Sequence, residues 1–302
     1  MTANNALPPT VIETIAGVSA GVASTLAVHP LDVIKTRLQL NAQSTFRVGA
    51  SLRVAREILR DEGSVRGLYR GFVPNVVGNA AAWGFYFLWY GKIKNIFARS
   101  QHPPNGELSY VQYFAASAAA GTLTAFCTNP IWVIKTRMLA SGSNAPGAYS
   151  GVVDGVRQIF RHEGISGFYR GMVPALFGVS HGAVQFMVYE KLKHRQLRGK
   201  GETKLRNLDA LWVSGSSKII AGVVTYPYQV IRSRLQTYSA SKDYAGTVDV
   251  ISKTIRTEGL VGLYKGLVPN MVRVLPSVWV TFLVYENVRF YLPWMISSDH
   301  KI

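Results

Sequence analysis

The octapeptide Pro30-Leu-Asp-Val-Ile-Lys-Thr-Arg37 returns as Pro130-Ile-Trp-Val-Ile-Lys-Thr-Arg137 and Pro227-Tyr-Gln-Val-Ile-Arg-Ser-Arg234, 100 and then 97 residues further on. Each copy is followed by an acid-glycine step, at Glu62-Gly63, Glu163-Gly164 and Glu258-Gly259. An aromatic-base-glycine step comes next, at Tyr69-Arg-Gly71, Tyr169-Arg-Gly171 and Tyr264-Lys-Gly266. Three sets of matches in the same order make the chain a three-fold object, because one unit written three times must fold three times the same way.

Composition narrows what the unit is for. Charged residues are 16% of the 302, below the quarter usual in soluble domains. Mean hydropathy is +0.13. The 33 basic residues outnumber the 16 acidic ones, for a net charge of +17. Such a surplus suits nucleic acid, an acidic membrane surface or an anion pathway. No basic run interleaved with stacking aromatics is present, so nucleic acid is set aside. Cys127 stands alone, which rules out an intramolecular disulfide and a cysteine-rich metal site. The first ten residues lack a basic n-region and an Arg-rich amphipathic pattern, so neither a signal nor a transit peptide is expected.

Crossing a bilayer takes roughly 20 mostly apolar helical residues. Residues 71–91 and 108–134 are free of charge, and 171–189 contain only His181. Three further candidates carry charges: 11–40 with Glu13, Asp32 and Lys35, 210–236 with Lys218 and Arg232, and 268–291 with Arg273 and Glu286. Amphipathic soluble helices are the alternative for these three. Register argues for spans, since 11–40 is the counterpart of the uncharged 108–134. Ionisable residues inside spans also face the bundle interior and mark solute pathways. The spacings Gly17-x-x-x-Gly21 and Ser117-x-x-x-Gly121 suit close helix packing in lipid. Between the two spans of each repeat, apolar residues recur at helical spacing (Val48, Leu52, Leu59; Val152, Val156, Ile159) up to the acid-glycine step, which predicts a short surface helix. The expected fold is an all-α membrane protein of six transmembrane helices in three tandem pseudo-three-fold repeats, 11–99, 108–198 and 208–294, forming one domain over 1–302. Residues 100–106 and 195–206 read as polar linkers.

These motifs resemble those of the mitochondrial carrier family, from Val11 to Leu292, with two of the three acidic positions in the octapeptides changed. Asn129-Pro-Ile-Trp-Val-Ile-Lys-Thr-Arg137, Val173-Pro-Ala-Leu-Phe-Gly-Val-Ser180 and Val224-Thr-Tyr-Pro-Tyr-Gln-Val-Ile231 are similar to the fungal-type flavin and folate branch of the family. The resemblance implies six tilted helices around a water-filled cavity open alternately to either side of the mitochondrial inner membrane. It implies cytosolic termini, surface helices on the matrix side and a monomer with possible cardiolipin contacts there. Basic residues in the loops do not fix orientation, and some relatives reside in peroxisomes, so side and organelle rest on the resemblance.

By the same resemblance, the matrix gate joins the acid of each octapeptide to the base of the next. Asp32 is expected to pair with Lys135. Trp132 and Gln229 replace the other two acids, which leaves Arg232 and Lys35 without ionic partners. Gln39 and Gln236 match the family's bracing glutamines; Leu139 does not. The cytoplasmic gate follows Tyr90-Gly-Lys-Ile-Lys94, Tyr189-Glu-Lys-Leu-Lys193 and Tyr285-Glu-Asn-Val-Arg289, with Gly91 in place of an acid. Bridges Glu190–Arg289 and Glu286–Lys94 are expected. The matrix gate should be the weaker of the two unless Trp132 substitutes by packing.

Substrate contacts map by resemblance onto Gly78, Asn79, Phe177, Gly178 and an unpaired Arg273. Lys218 lies eleven residues before Gln229, within roughly 20° of the same helix face. It points into the cavity unless it snorkels to the bilayer surface. The glycines and Phe177 serve equally as packing residues. Asp32 against Lys35, Lys135 and Arg232, with Arg273 and Lys218 added, makes a cationic pathway suited to a diphosphate or to carboxylates. FAD is the expected cargo and not a cofactor, with folate, NAD and pyrimidine nucleotides as alternatives. The six histidines are scattered and no carboxylate pair or metal-ligand spacing appears, so neither catalytic residues nor a metal site is expected. A cargo-free scaffold would leave Lys35, Arg232 and Arg273 unexplained.

Overall fold

The computed structural model describes residues 9–41, 48–62, 65–100, 108–142, 145, 147–200, 207–238 and 240–298. Residues 101–107 and 201–206, and Gly63, lie outside the described residues; of the expected linker 195–206, residues 195–200 instead continue a helix. Within these limits the regular structure is helical throughout.

The first repeat contains α1 (Pro9–Leu40), α2 (Val48–Asp61) and α3 (Phe72–Arg99). The second contains α4 (Tyr110–Ala140), α5 (Val152–Phe168), the short α6 (Met172–Phe177) and α7 (Val179–Lys200). The third contains α8 (Asn207–Leu235), the single turn α9 (Ala240–Asp243), α10 (Thr247–Glu258), α11 (Leu267–Val272) and α12 (Val274–Ser298). Helices α3 and α4, α7 and α8, and α12 and α1 pack together, so the repeats close into a ring. Ser24 on α1 and Ser277 on α12 meet hydroxyl to hydroxyl at 2.9 Å across the closing seam.

Three separate apolar cores sit at one end of the ring, one under each repeat's amphipathic helix. Val33, Ile34 and Leu38 of α1 bury Ala50, Val54 and Ile58 of α2. Val133, Ile134 and Met138 of α4 bury Tyr149 and Ile159, and Ile231 and Leu235 of α8 bury Val250. The repeated Val-Ile of the octapeptide is therefore core, and each fully buried side chain of this size contributes about 1.5–3 kcal/mol.

The glycine of each aromatic-base-glycine step caps the following helix in the left-handed region, with φ of 75° at Gly71, 71° at Gly171 and 81° at Gly266. A Cβ at Gly266 would stand 2.8 Å from the Lys35 carbonyl oxygen, and one at Gly71 would stand 2.3 Å from Leu139. Glycine meets both demands, a positive φ and close approach to the neighbouring repeat.

Away from this end, large apolar side chains face outward along every long helix, among them Val18, Trp83, Phe114, Phe186, Trp212 and Trp279. A water-exposed surface of this kind would aggregate; in lipid it is the expected outer face. By length and mean hydropathy the described segments Val11–Leu40, Met172–Arg198 and Leu260–Pro293 can cross a membrane. This corrects the ranking drawn from charge alone. Segments 71–91 and 108–134 are uncharged but do not stand among these three, because an absence of charge is not the same as high hydropathy.

Candidate functional site

At the end carrying the prolines, the repeats interlock through one bond repeated cyclically. The last arginine of each octapeptide donates from Nε to the carbonyl of the ninth residue after the next repeat's proline. Arg37 reaches Leu139 at 3.2 Å, Arg137 reaches Gln236 at 3.1 Å and Arg234 reaches Gln39 at 3.1 Å. The same arginines pair with the glutamates of their own acid-glycine steps: Arg37–Glu62 at 2.5 Å, Arg137–Glu163 at 2.5 Å and Arg234–Glu258 at 2.6 Å. Burial alone would raise the Glu163 and Glu258 carboxyls. Hydrogen bonds and charge from Arg137 and Arg170, and from Arg234 and Lys265, outweigh it and hold both below the usual range.

A second three-fold set lies one residue before each proline. His29 meets the Arg70 carbonyl through Nε2 at 3.0 Å, Asn129 donates to the Arg170 carbonyl at 3.2 Å, and the Tyr226 hydroxyl donates to the Lys265 carbonyl at 3.0 Å. A carbonyl only accepts, so His29 carries its proton on Nε2 and accepts from Asn75 through Nδ1, at 3.1 Å. Three unlike side chains thus do one job. Sequence reasoning missed them because it compared residue types, and only donor capacity is shared.

Inside this ring lie the expected gate residues. Lys35 donates to Gln229 Oε1 at 2.7 Å and to Asn270 Oδ1 at 2.9 Å. Lys135 and Arg232 lie over the Trp132 ring, at 4.9 and 5.8 Å from its centroid. Gln39 accepts from Ser233 at 2.8 Å and donates to Tyr226 at 3.0 Å. Gln236 accepts from Thr136 at 2.9 Å. Both glutamines therefore tie neighbouring repeats together, and Leu139 contributes its carbonyl instead.

The expected Asp32–Lys135 bridge is not formed. Asp32 pairs with Arg273, between α11 and α12, and Asn75 Nδ2 approaches its other oxygen at 3.4 Å. Arg273 is therefore not the unpaired cation that the sequence suggested. It stands at the break between α11 and α12, seven residues after Gly266, where Gly178 breaks α6 from α7 in the second repeat.

Above the gate a cavity is lined by Ser24, Asp32, Asn75, Asn79, Lys218, Arg273 and Ser277 among others. A chamber of about 320 Å³ continues below it between the gate and the braces, lined by Lys35, Trp132, Lys135, His181, Gln229 and Arg232 among others. Together the two linings hold five cationic side chains, Lys35, Lys135, Lys218, Arg232 and Arg273, against the single carboxylate of Asp32. Lys218 also lines a groove between α8 and α12 with Ser277, Thr281, Phe282 and Tyr285. It points inward and does not snorkel.

Gly78, Phe177 and Gly178 do not join these linings. A Cβ on Gly78 would meet Ile131 and Trp132 at 3.2 and 3.5 Å, and one on Gly178 would meet Tyr228 at 3.3 Å. Both glycines serve close helix packing, the alternative open to them from the sequence. Phe177 is 63% exposed. At the opposite end, Glu190 contacts Lys193 at 3.4 Å and His194 at 3.7 Å on its own helix. Among the described residues the expected bridges Glu190–Arg289 and Glu286–Lys94 are absent. The ring is thus held shut at the proline end and unlatched at the other, whereas the bridge count made the proline end the weaker. Trp132 supplies the packing that the count left out.

A closed ring of helices with an apolar exterior, a cationic interior and a gate at its proline end defines a membrane solute carrier. The family model for the mitochondrial carrier protein matches residues 8–101, 106–200 and 203–295, and the chain belongs to that family. It is 41% identical to the mitochondrial FAD carrier protein of Saccharomyces cerevisiae, over 92% of this chain and 96% of that protein. It is also 41% identical to a chloroplastic folate transporter of Arabidopsis thaliana, over 90% of this chain and 92% of the relative. With a mitochondrial nicotinamide adenine dinucleotide transporter of Arabidopsis thaliana it shares 39%, over 91% of this chain and 78% of the relative. The chain is a multi-pass small-molecule carrier of the mitochondrial inner membrane, and not an enzyme.

Proposed function

We propose that this chain carries FAD across the mitochondrial inner membrane by alternating access. Six spans in three repeats, 11–99, 108–198 and 208–294, form one carrier domain. Helices α3, α4 and α8 have 28, 31 and 29 residues. At 1.5 Å per residue each exceeds the roughly 30 Å hydrocarbon core, whatever its hydropathy. The amphipathic helices lie at the matrix face, where cardiolipin is a fitting lipid partner, and a monomer suffices because the whole cavity lies within one chain.

The observation that carries this reading is the surplus of cations on the cavity lining. Arg273 and Lys218 face one space, with the amides of Asn75 and Asn79 and the hydroxyls of Ser24 and Ser277 around them. A diphosphate supplies acceptors for two cations at once, and low-dielectric walls focus the field of both upon it. Of the anionic cargoes named among the relatives, FAD and NAD contain a diphosphate; folate brings carboxylates to the same cations. Folate remains the second reading, because the folate transporter is as similar to this chain as the FAD carrier is.

Purified protein in liposomes, offered labelled FAD, folate, NAD and UTP side by side, decides between them. FAD uptake above the others, reduced at least tenfold in Lys218→Ala, supports the assignment. Preferential folate uptake replaces it with the second reading, and uptake of neither removes both.

A further inference from the structure

We infer that Asp32 is an internal anion that competes with the solute for Arg273, and so ties solute binding to the proline-end gate. The inference rests on the anion-carrier reading above and concerns a residue placed with the gate, not among the solute contacts.

Arg273 lines the cavity where an incoming phosphate would lie, yet its guanidinium is bound to Asp32. The pair joins α1 of the first repeat to the α11–α12 junction of the third. Asp32 is 6% exposed. A carboxylate so placed cannot be left unpaired without a large cost. A second cation is nevertheless close. Lys135 lines the same lower chamber as Asp32 and, among the described residues, makes no ion pair; its ammonium rests on the Trp132 ring. Lys35 is less free to respond, because two amide oxygens already hold it.

The sequence of events follows from these positions. A phosphate takes the Arg273 fork, and Asp32 passes from Arg273 to Lys135. The link between the first and third repeats is exchanged for one between the first and second. The exchange sets a threshold for cargo: a weak or singly charged anion does not displace Asp32, whereas a diphosphate does. Affinity for the solute scales with the fraction of time Arg273 is free of Asp32. If Asp32 holds it nine-tenths of the time, the reduction is about tenfold.

The test uses the full-length purified protein, with FAD and inorganic pyrophosphate as probes and thermal unfolding as the check on folding. Asp32→Asn should bind both probes about three- to tenfold more tightly than wild type. In an Arg273→Gln background, Asp32→Asn should have no such effect. Unchanged or weaker binding in Asp32→Asn overturns the inference, and so does equal tightening without Arg273, which would mean simple removal of negative charge. A measurement on the wild type guards against misfolded variants. A carbodiimide, which joins a carboxylate to an adjacent lysine but not to arginine, should cross-link Asp32 to Lys135 when FAD is present and much less without it. Peptide mass spectrometry reads the link; equal yields in both conditions sink the exchange. Failure of the wild type to bind any probe would instead count against the anion-carrier reading itself.

Discussion

The ammonium of Lys135 sits 4.9 Å from the ring centroid of Trp132, three residues earlier on the same helix. Arg232 of the next repeat approaches the same ring at 5.8 Å. By the register of the repeats, Trp132 occupies the place of an acid that would pair with Arg232. An indole here offers two cations the face of its quadrupole, worth about 0.5–2 kcal/mol each according to desolvation.

Trp132→Ala should therefore loosen the proline-end gate. The expected result is a lower unfolding temperature for the unliganded protein, with Trp132→Asp recovering at least half of the loss through an ion pair to Arg232. Thermal unfolding in detergent reads both. An alanine variant as stable as wild type would mean the ring is only filling space.

The cyclic arginines are not equal. Arg137 is 1% exposed and spreads its donors over Glu163, Tyr149 and the Gln236 carbonyl. Arg137→Gln leaves the half-buried Glu163 carboxylate to Arg170 alone and removes the donor to Tyr149, so about 1–3 kcal/mol of stability should be lost. Chemical unfolding of the reconstituted protein tests the magnitude. A loss under 1 kcal/mol would show that the ring is not what closes this end.

The residues before the prolines allow a swap experiment. Asparagine performs in the second repeat the donor role that histidine performs in the first, so His29→Asn should be tolerated and His29→Leu should not. Leucine leaves the Arg70 carbonyl without its donor and the Asn75 amide with Asp32 alone, at about 1–3 kcal/mol. Tyr226→Phe should cost a similar amount, since it removes the donor to Lys265 and the acceptor for Gln39. Unfolding midpoints of the three variants give the comparison; equal values for His29→Asn and His29→Leu would refute the donor role.

Gly266→Ala combines a φ of 81° with a Cβ 2.8 Å from the Lys35 carbonyl oxygen. Backbone strain of about 1–3 kcal/mol is expected before any clash is relieved. Gly246→Ala, where a Cβ meets nothing within 4 Å and φ is 170°, is the control that should leave stability nearly unchanged. Equal unfolding midpoints for the two variants would contradict the capping argument.

Acid should open the proline end. Glu163 and Glu258 titrate below their ordinary value of 4.5 in the folded protein. Their contribution is thus fully present above that value and is lost as pH falls through the lower, folded values. Unfolding temperature measured downward from pH 6 should stay level as far as these two groups are concerned and then drop below pH 4.5. Glu163→Gln should make the drop shallower; an unchanged slope would assign the acid sensitivity elsewhere.

Taken alone, the sequence determined the three-fold plan, because a motif repeated in register must be met by the same local solution each time. Val-Ile after each proline, glycine after each aromatic-base pair and the amphipathic stretch between them all encode local geometry. It also pointed to the cationic character of the interior, through the helical phase of Lys218 and, for Lys35, Lys135, Arg232 and Arg273, through resemblance to a family motif. The tertiary structure alone decided which partner each charge takes. Asp32 pairs with Arg273 and not with Lys135, and that choice is made between residues 241 positions apart where the third repeat closes on the first. Likewise, His29, Asn129 and Tyr226 share no residue type, and their common role emerges only where three carbonyls stand within a hydrogen bond's reach. Periodicity records which face a side chain occupies; distance across the bundle, which fixes the energy of each pair, is set by the packing of helices far apart in the chain.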